Sequence, residues 1–200
     1  MRDIFFQPWI GKKYQESRLL ILSESAYSWD ANGKTWDPGR SHPKRSLCHW
    51  IKHLEKRTYF SSMSKALCGA ERPTTEQALR AWSECAYTIY VPKTVGIGAR
   101  TRPSSEQWQE ARLEFLRLIE KMRPQPLKIV VTGFDMWNRH MPGCTGPHLD
   151  DFRQSYKLSN GNLVWCLAIP HPANTRQGFR WKEIGDRIRQ FRAAKFQASA

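Results

Sequence analysis

Four short, nearly continuous apolar runs constrain this chain more than anything else in it. They lie at residues 18–22, 86–91, 128–132 and 163–169, the last reading Leu-Val-Trp-Cys-Leu-Ala-Ile. A strand that is apolar on both faces belongs in a sheet covered on both sides, and parallel sheets are covered by their own crossover helices. Helical patterns lie between the runs. Leu47, Trp50, Ile51 and Leu54 form one apolar stripe, and Trp108, Ala111, Phe115, Leu118, Ile119 and Met122 form a longer one. The longer stripe follows Pro103, with Ser104 and Gln107 in capping-box register, and stops near Pro124. Thr74 and Gln77 repeat that start upstream. A last helix carries Trp181, Ile184, Ile188 and Phe191 on one face and Lys182, Arg187, Arg189 and Arg192 on the other. The alternation predicts an α/β fold: three layers, α/β/α, around a central, mostly parallel four-stranded sheet. Residues 28–46 and 141–161 read as long loops.

At 200 residues the chain has the length of a single domain, and that domain is expected to span 1–200. Hydrophobic residues make up 40% and charged residues 25%, which excludes a disordered tail. No run approaches the roughly 18–20 apolar residues of a membrane-spanning helix, and the first residues do not resemble a signal peptide. The five cysteines are scattered and form no CxxC pair, so a zinc site and a disulfide framework are both unexpected. Cys85 and Cys166 lie in apolar runs and read as core. These features predict a cytoplasmic monomer with no metal or other cofactor.

Charge narrows the partner. Thirty-two Lys and Arg against eighteen Asp and Glu leave +14, spread along the chain and not gathered in a tail. Such an excess suits a polyanion. In parallel α/β sheets the functional crevice lies beyond the carboxyl ends of the strands, which selects residues 23–27, 92–102, 133–137 and 170–179. Glu24 follows the first strand directly. It is either a loop-bracing acid or a partly desolvated carboxylate able to orient a water or stabilise a cation. His171 is held between Pro170 and Pro172 and is either a plain loop residue or a preoriented donor. Lys93, Arg100, Arg102, Arg176 and Arg180 fall in or beside these segments, with aromatic residues among them. That mixture suits phosphate contact and base stacking. His49 and His53 are four apart on a helix but lack a third metal ligand, and His42, His140 and His148 read as surface residues. Gly96-Ile97-Gly98 is too short for a nucleotide-binding glycine motif.

Several segments, in order, resemble the uracil-DNA glycosylase superfamily, most nearly its bacterial and phage branch. Pro8-Trp9-Ile10-Gly11 precedes a strand ending Ser23-Glu24-Ser25-Ala26-Tyr27, similar to a Gly-Glu-Ser-His-Tyr motif. Trp82 and Ala86-Tyr87-Thr88-Ile89-Tyr90 resemble its second strand. Arg102-Pro103-Ser104 leads to Thr132-Gly133 and Trp137, and His171-Pro172-Ala173 matches its His-Pro loop. The resemblance implies a DNA glycosylase that flips a nucleotide out of DNA and hydrolyses its N-glycosidic bond. It implies Glu24 and His171 as the catalytic pair and a base pocket of Ser25, Tyr27, Thr88, Ile89 and Tyr90. Lys93, Arg100, Arg102, Asn174, Arg176 and Arg180 would contact DNA, with the loop of Asn174, Thr175, Arg176 and Gln177 entering the minor groove. Ser23 and Ala26 depart from the motif's Gly and His. Ile89 stands where the family often has an Asn that reads the pyrimidine edge, which points away from uracil toward a modified pyrimidine, such as glucosylated hydroxymethylcytosine in phage DNA. Uracil repair, a non-catalytic DNA- or RNA-binding protein on the same scaffold, and a nucleotide hydrolase are the alternatives.

Overall fold

The computed structural model describes residues 6–28, 39, 41–53, 58–97, 101–174 and 178–196, apart from the side chains of Tyr27, Ser28, His53 and Ile97. The four predicted strands are present as β2 (Leu19–Ser23), β4 (Cys85–Ile89), β6 (Lys128–Thr132) and β9 (Leu163–Ile169). They run parallel in the order β4-β2-β6-β9. Their continuous apolar sequence is explained by what covers them. Leu19, Ile21, Cys85, Tyr87, Ile89, Val130, Leu167 and Ile169 face one core, while Leu20, Leu22, Ala86, Ile129, Val131, Cys166 and Ala168 face a second.

The sheet is nonetheless not the four-stranded one expected from the sequence. It has seven strands and is mixed. β1 (Trp9–Ile10) adds antiparallel to β4 on one edge, and the hairpin of β7 (His148–Asp150) and β8 (Arg153–Lys157) adds antiparallel to β9 on the other. The hairpin occupies part of the segment 141–161, where a loop is expected from the sequence. Its strands are polar and largely exposed on one side, so they carry no apolar run. A separate two-stranded parallel ribbon joins β3 (Ala26–Ser28) to β5 (Thr94–Ile97).

One face of the sheet is covered by α2 (His42–His53), α3 (Thr58–Cys68), α4 (Thr75–Ser83) and α6 (Trp181–Ala193). The other is covered by α5 (Ser105–Lys121) and a π-helical turn at Met136–His140. A short α1 (Tyr14–Ser17) precedes β2. α2 begins inside the segment read as the loop 28–46; residues 29–38 and 40 of that segment lie outside the described residues, as does Leu54. Both capping boxes form. Thr74 and Ser104 each accept the N–H of the glutamine three residues on, and each glutamine returns its side-chain carbonyl to the cap N–H.

The Pro-Trp-Ile-Gly opening has a structural reason. Gly11 N–H donates to Cys85 O at 2.9 Å. A Cβ at Gly11 would collide with the Ser83 and Cys85 carbonyls, so only glycine lets the chain pass so close to the start of β4. α3 and α6 pack together through a similar device, since a Cβ on Gly185 would lie 2.5 Å from Ala66 O. Among the described residues no helix is long and apolar enough to cross a membrane. All five cysteines are free, and Cys85 and Cys166 are buried as expected.

Candidate functional site

The parallel register brings the carboxyl ends of β4, β2, β6 and β9 level: Ser23 pairs with Ile89, Leu22 with Val131, and Thr132 with Ile169. Glu24 leaves the end of β2 and His171 leaves the end of β9, with β6 between them. Two strand spacings therefore separate the points where they depart, about 10 Å. Side-chain alternation turns the crevice walls toward different helical layers. Thr132 meets Tyr59 of α3, and His171 packs its ring against the Tyr59 ring at 5.5 Å. Glu24 meets residues that precede α5 and the π-helical turn.

Glu24 is only 5% exposed. Backbone bonds fix its place: Tyr90 N–H donates to Ser23 O at 2.8 Å and Val91 N–H to Glu24 O at 3.0 Å. Its carboxylate accepts from Nη1 of Arg102, 2.9 Å to Oε1 and 3.1 Å to Oε2. Arg102 gives its Nη2 to Asp135, which also pairs with Arg139 Nε at 3.4 Å. Burial pushes the Glu24 carboxyl above its ordinary range. Arg102 opposes this, and the nearby Asp135 adds to it. Ser25 adds a small opposing effect, but its Oγ closes no hydrogen bond of normal geometry. Ser25 Oγ and Thr88 Oγ1 are buried without a partner among the described residues.

His171 is partly buried, and both its backbone and its ring are braced by the residues that follow it. Asn174 N–H donates to His171 O at 2.8 Å, and Ala173 N–H donates to Nδ1 at 3.2 Å. Because Nδ1 accepts, the neutral ring carries its proton on Nε2. Burial first, then the Arg102 charge, lowers its pKa to about 4, so the ring is neutral at pH 7. Beneath it lies Gly133, whose φ of +128° only glycine adopts readily; a Cβ there would touch His171 Cδ2 at 3.9 Å. Gly133 N–H donates to Ile169 O at 2.9 Å and ties the two strand ends together.

A buried hydroxyl network backs the His171 side. Tyr59 OH lies 3.2 Å from Thr132 Oγ1, which donates to Leu22 O at 3.0 Å, and Ser23 Oγ lies 3.0 Å from Tyr87 OH. Ile89 is buried in the adjoining apolar core, with Tyr87 and Phe60 in the same cluster. Tyr90 is also buried; its hydroxyl donates to His140 O at 2.7 Å. His140 is not the free surface residue expected, because its ring stacks on Trp108 at 3.9 Å.

The expected DNA contacts divide three ways. Arg102 lies in the site itself, on Glu24 and Asp135. Lys93 and Arg180 are exposed and each holds an acid, Glu110 at 2.7 Å and Glu183 at 3.1 Å. Asn174 is exposed beside His171. Arg100, Thr175, Arg176, Gln177 and the Tyr27 side chain lie outside the described residues. Asp135 and Tyr59 join the site without a signal that singled them out. Asp135 does fall in the strand-end segment 133–137, whereas Tyr59 comes from a helix that the apolar pattern did not disclose. No group of three or more potential metal ligands exists among the described residues.

No known protein family matches this chain, and no characterised protein matches it in sequence.

Proposed function

We propose that this protein is a DNA glycosylase of the uracil-DNA glycosylase type, acting on a flipped-out modified pyrimidine. The observation that carries the reading is what the strand ends present: a buried Glu24 carboxylate at the end of β2 and, two strands away at the same end of the sheet, a neutral His171 with its proton on Nε2. The C1′–N bond would break with its electron pair leaving on the base, so positive charge grows on the sugar and negative charge on the base. Glu24 stabilises the sugar cation and takes a proton from the water that adds to C1′. His171 Nε2–H donates to the base as it becomes an anion. A donor preoriented in this way loses little to reorganisation. Water is the only co-reactant.

Ile89 in the apolar core supports a base other than uracil, since a pocket without an amide at that position gives up its strongest means of reading the pyrimidine edge. The net charge of +14 supports a nucleic-acid partner. The test is incubation with uracil-containing, unmodified and phage-derived modified DNA, with release of free base followed by mass spectrometry. Glu24→Gln and His171→Ala should each lose at least about a hundredfold in release while retaining DNA binding. No release from any substrate, with salt-sensitive binding intact, would favour a non-catalytic DNA-binding protein.

A further inference from the structure

Glu24 has one cation on its carboxylate among the described residues, and that cation is itself clamped. Arg102 lies just before the buried Pro103 and the Ser104 cap of α5, so its backbone is anchored on one side by a capped helix. Its guanidinium is held at two tips: Nη1 spans both Glu24 oxygens and Nη2 engages Asp135. Asp135 is fixed in turn. It directly precedes the π-helical turn, and its second oxygen forms an ion pair with Arg139 Nε at 3.4 Å. The turn is pinned to α5, because Arg112 donates to the carbonyls of Arg139 and His140. The connection thus runs from α5 through the turn and Asp135 to Arg102 and ends on Glu24.

We propose that Arg102 is the positioning residue for Glu24, and that Asp135 is the anchor that keeps the guanidinium on the carboxylate. The role in base release rests on the glycosylase reading; the clamp itself belongs to the free protein. A planar fork suits this task, since it can hold two carboxylates at fixed angles where a lysine offers only a point charge. The same cation also serves the opposite wall. Its charge opposes the rise that burial imposes on Glu24 and adds to the fall that burial imposes on His171. The other charged groups around the clamp are Asp135, Arg139 and Arg112, with His140 beside them as a titratable ring that burial shifts toward its neutral form. Of these, Asp135 alone pushes Glu24 upward.

Two readouts test the clamp. The first is the titration of the Glu24 side-chain carboxyl carbon by NMR in the free protein. The second is single-turnover base release from pH 5 to 9. In Arg102→Gln the Glu24 midpoint should rise by about one pH unit; protonation should then cut release by up to about tenfold below the wild-type midpoint, and that part of the loss should shrink as pH rises, leaving the loss due to the misplaced carboxylate. Arg102→Lys should restore part of both. Asp135→Asn should shift the Glu24 midpoint upward, as Arg102→Gln does, and slow release at every pH, because the guanidinium loses its anchor; a lowered midpoint would mean that Asp135 acts on Glu24 by its charge alone and would overturn its role as anchor. An unchanged Glu24 midpoint in Arg102→Gln overturns the proposal, as does full recovery of release above that midpoint, which loss of positioning does not allow. If the wild type releases no base while the midpoints move as stated, the clamp stands and the glycosylase reading is what fails.

Discussion

Ala173 donates its backbone N–H to His171 Nδ1 across 3.2 Å, and that bond decides which ring nitrogen carries the proton. A histidine titrating near its ordinary value would be charged in part of the molecules at neutral pH. Here the ring is uncharged and its Nε2–H makes no hydrogen bond among the described residues, so the donor is set before a substrate arrives. Nitrogen-15 NMR at pH 7 should find His171 in the Nε2–H tautomer, with a midpoint near 4. A ring titrating close to 6.5 would contradict the arrangement.

The pH dependence of base release has a definite sign. On the proposed glycosylase mechanism, release needs Glu24 ionised and His171 neutral, and both conditions fail only on the acid side. Glu24 lies above its ordinary 4.5 and His171 near 4, so Glu24 sets the limb. The rate should climb with pH through the raised Glu24 midpoint and then level off. Single-turnover rates that fall between pH 7 and 9 would require a further titrating group.

Stability responds to pH through the same histidine. A folded-state pKa below the ordinary 6.5 means that the unfolded chain binds the proton more readily. The stability that neutral His171 supplies is present above about pH 6.5 and is lost as pH falls through 4. Glu24 acts in the opposite sense, its share being present below 4.5 and lost as pH rises through its raised midpoint. Urea melts of wild type and His171→Gln at pH 7 and pH 5 separate the two: the wild type should lose more stability on acidification than the variant.

Tyr59 supports His171 with its ring more than with its hydroxyl. Tyr59→Phe should cost about 1 kcal/mol of stability and leave the His171 midpoint nearly in place, because Thr132 Oγ1 still donates to Leu22 O. Tyr59→Ala removes the surface behind the imidazole and should raise the His171 midpoint toward 6.5 as water enters. Histidine-resolved NMR titration of the two variants reads the difference.

Gly11 makes a prediction independent of any activity. Gly11→Ala forces a methyl against the Ser83 and Cys85 carbonyls and should cost about 2–3 kcal/mol in urea unfolding. Gly161→Ala is the control for alanine in an open site: nothing lies within 4 Å of its Cβ position, although its φ of +82° carries a strain cost of its own. A neutral Gly11→Ala would mean that β1 detaches from β4 at little cost.

The parallel centre was legible in the sequence because burial on both faces leaves a continuous apolar run, as in 163–169. The capped starts of α4 and α5 were legible because Thr74/Gln77 and Ser104/Gln107 carry their own local chemistry. The edges were not. β1 is two residues long, and β8, Arg-Gln-Ser-Tyr-Lys, is covered on one side only. α3 escaped notice because Ser61, Ser62 and Ser64 dilute its apolar face, although Ser64 is used internally, accepting from Trp82 Nε1 at 2.7 Å. Of the candidate site, Glu24 and His171 stood out because each follows a buried strand. The partnership of Arg102 with Asp135 joins residues 33 apart that share no local pattern, so only the fold brings it into view.

The seven-stranded sheet ends in strands of two and three residues, β1 and β7. Each outer edge offers too little free backbone to template a strand from another molecule, and Gly11 turns the chain away as soon as β1 ends. On a polyanion, the partner proposed above, molecules crowded together by their positive charge would therefore meet through charged side chains that repel. That geometry guards a basic α/β protein against the edge-to-edge aggregation that crowding invites.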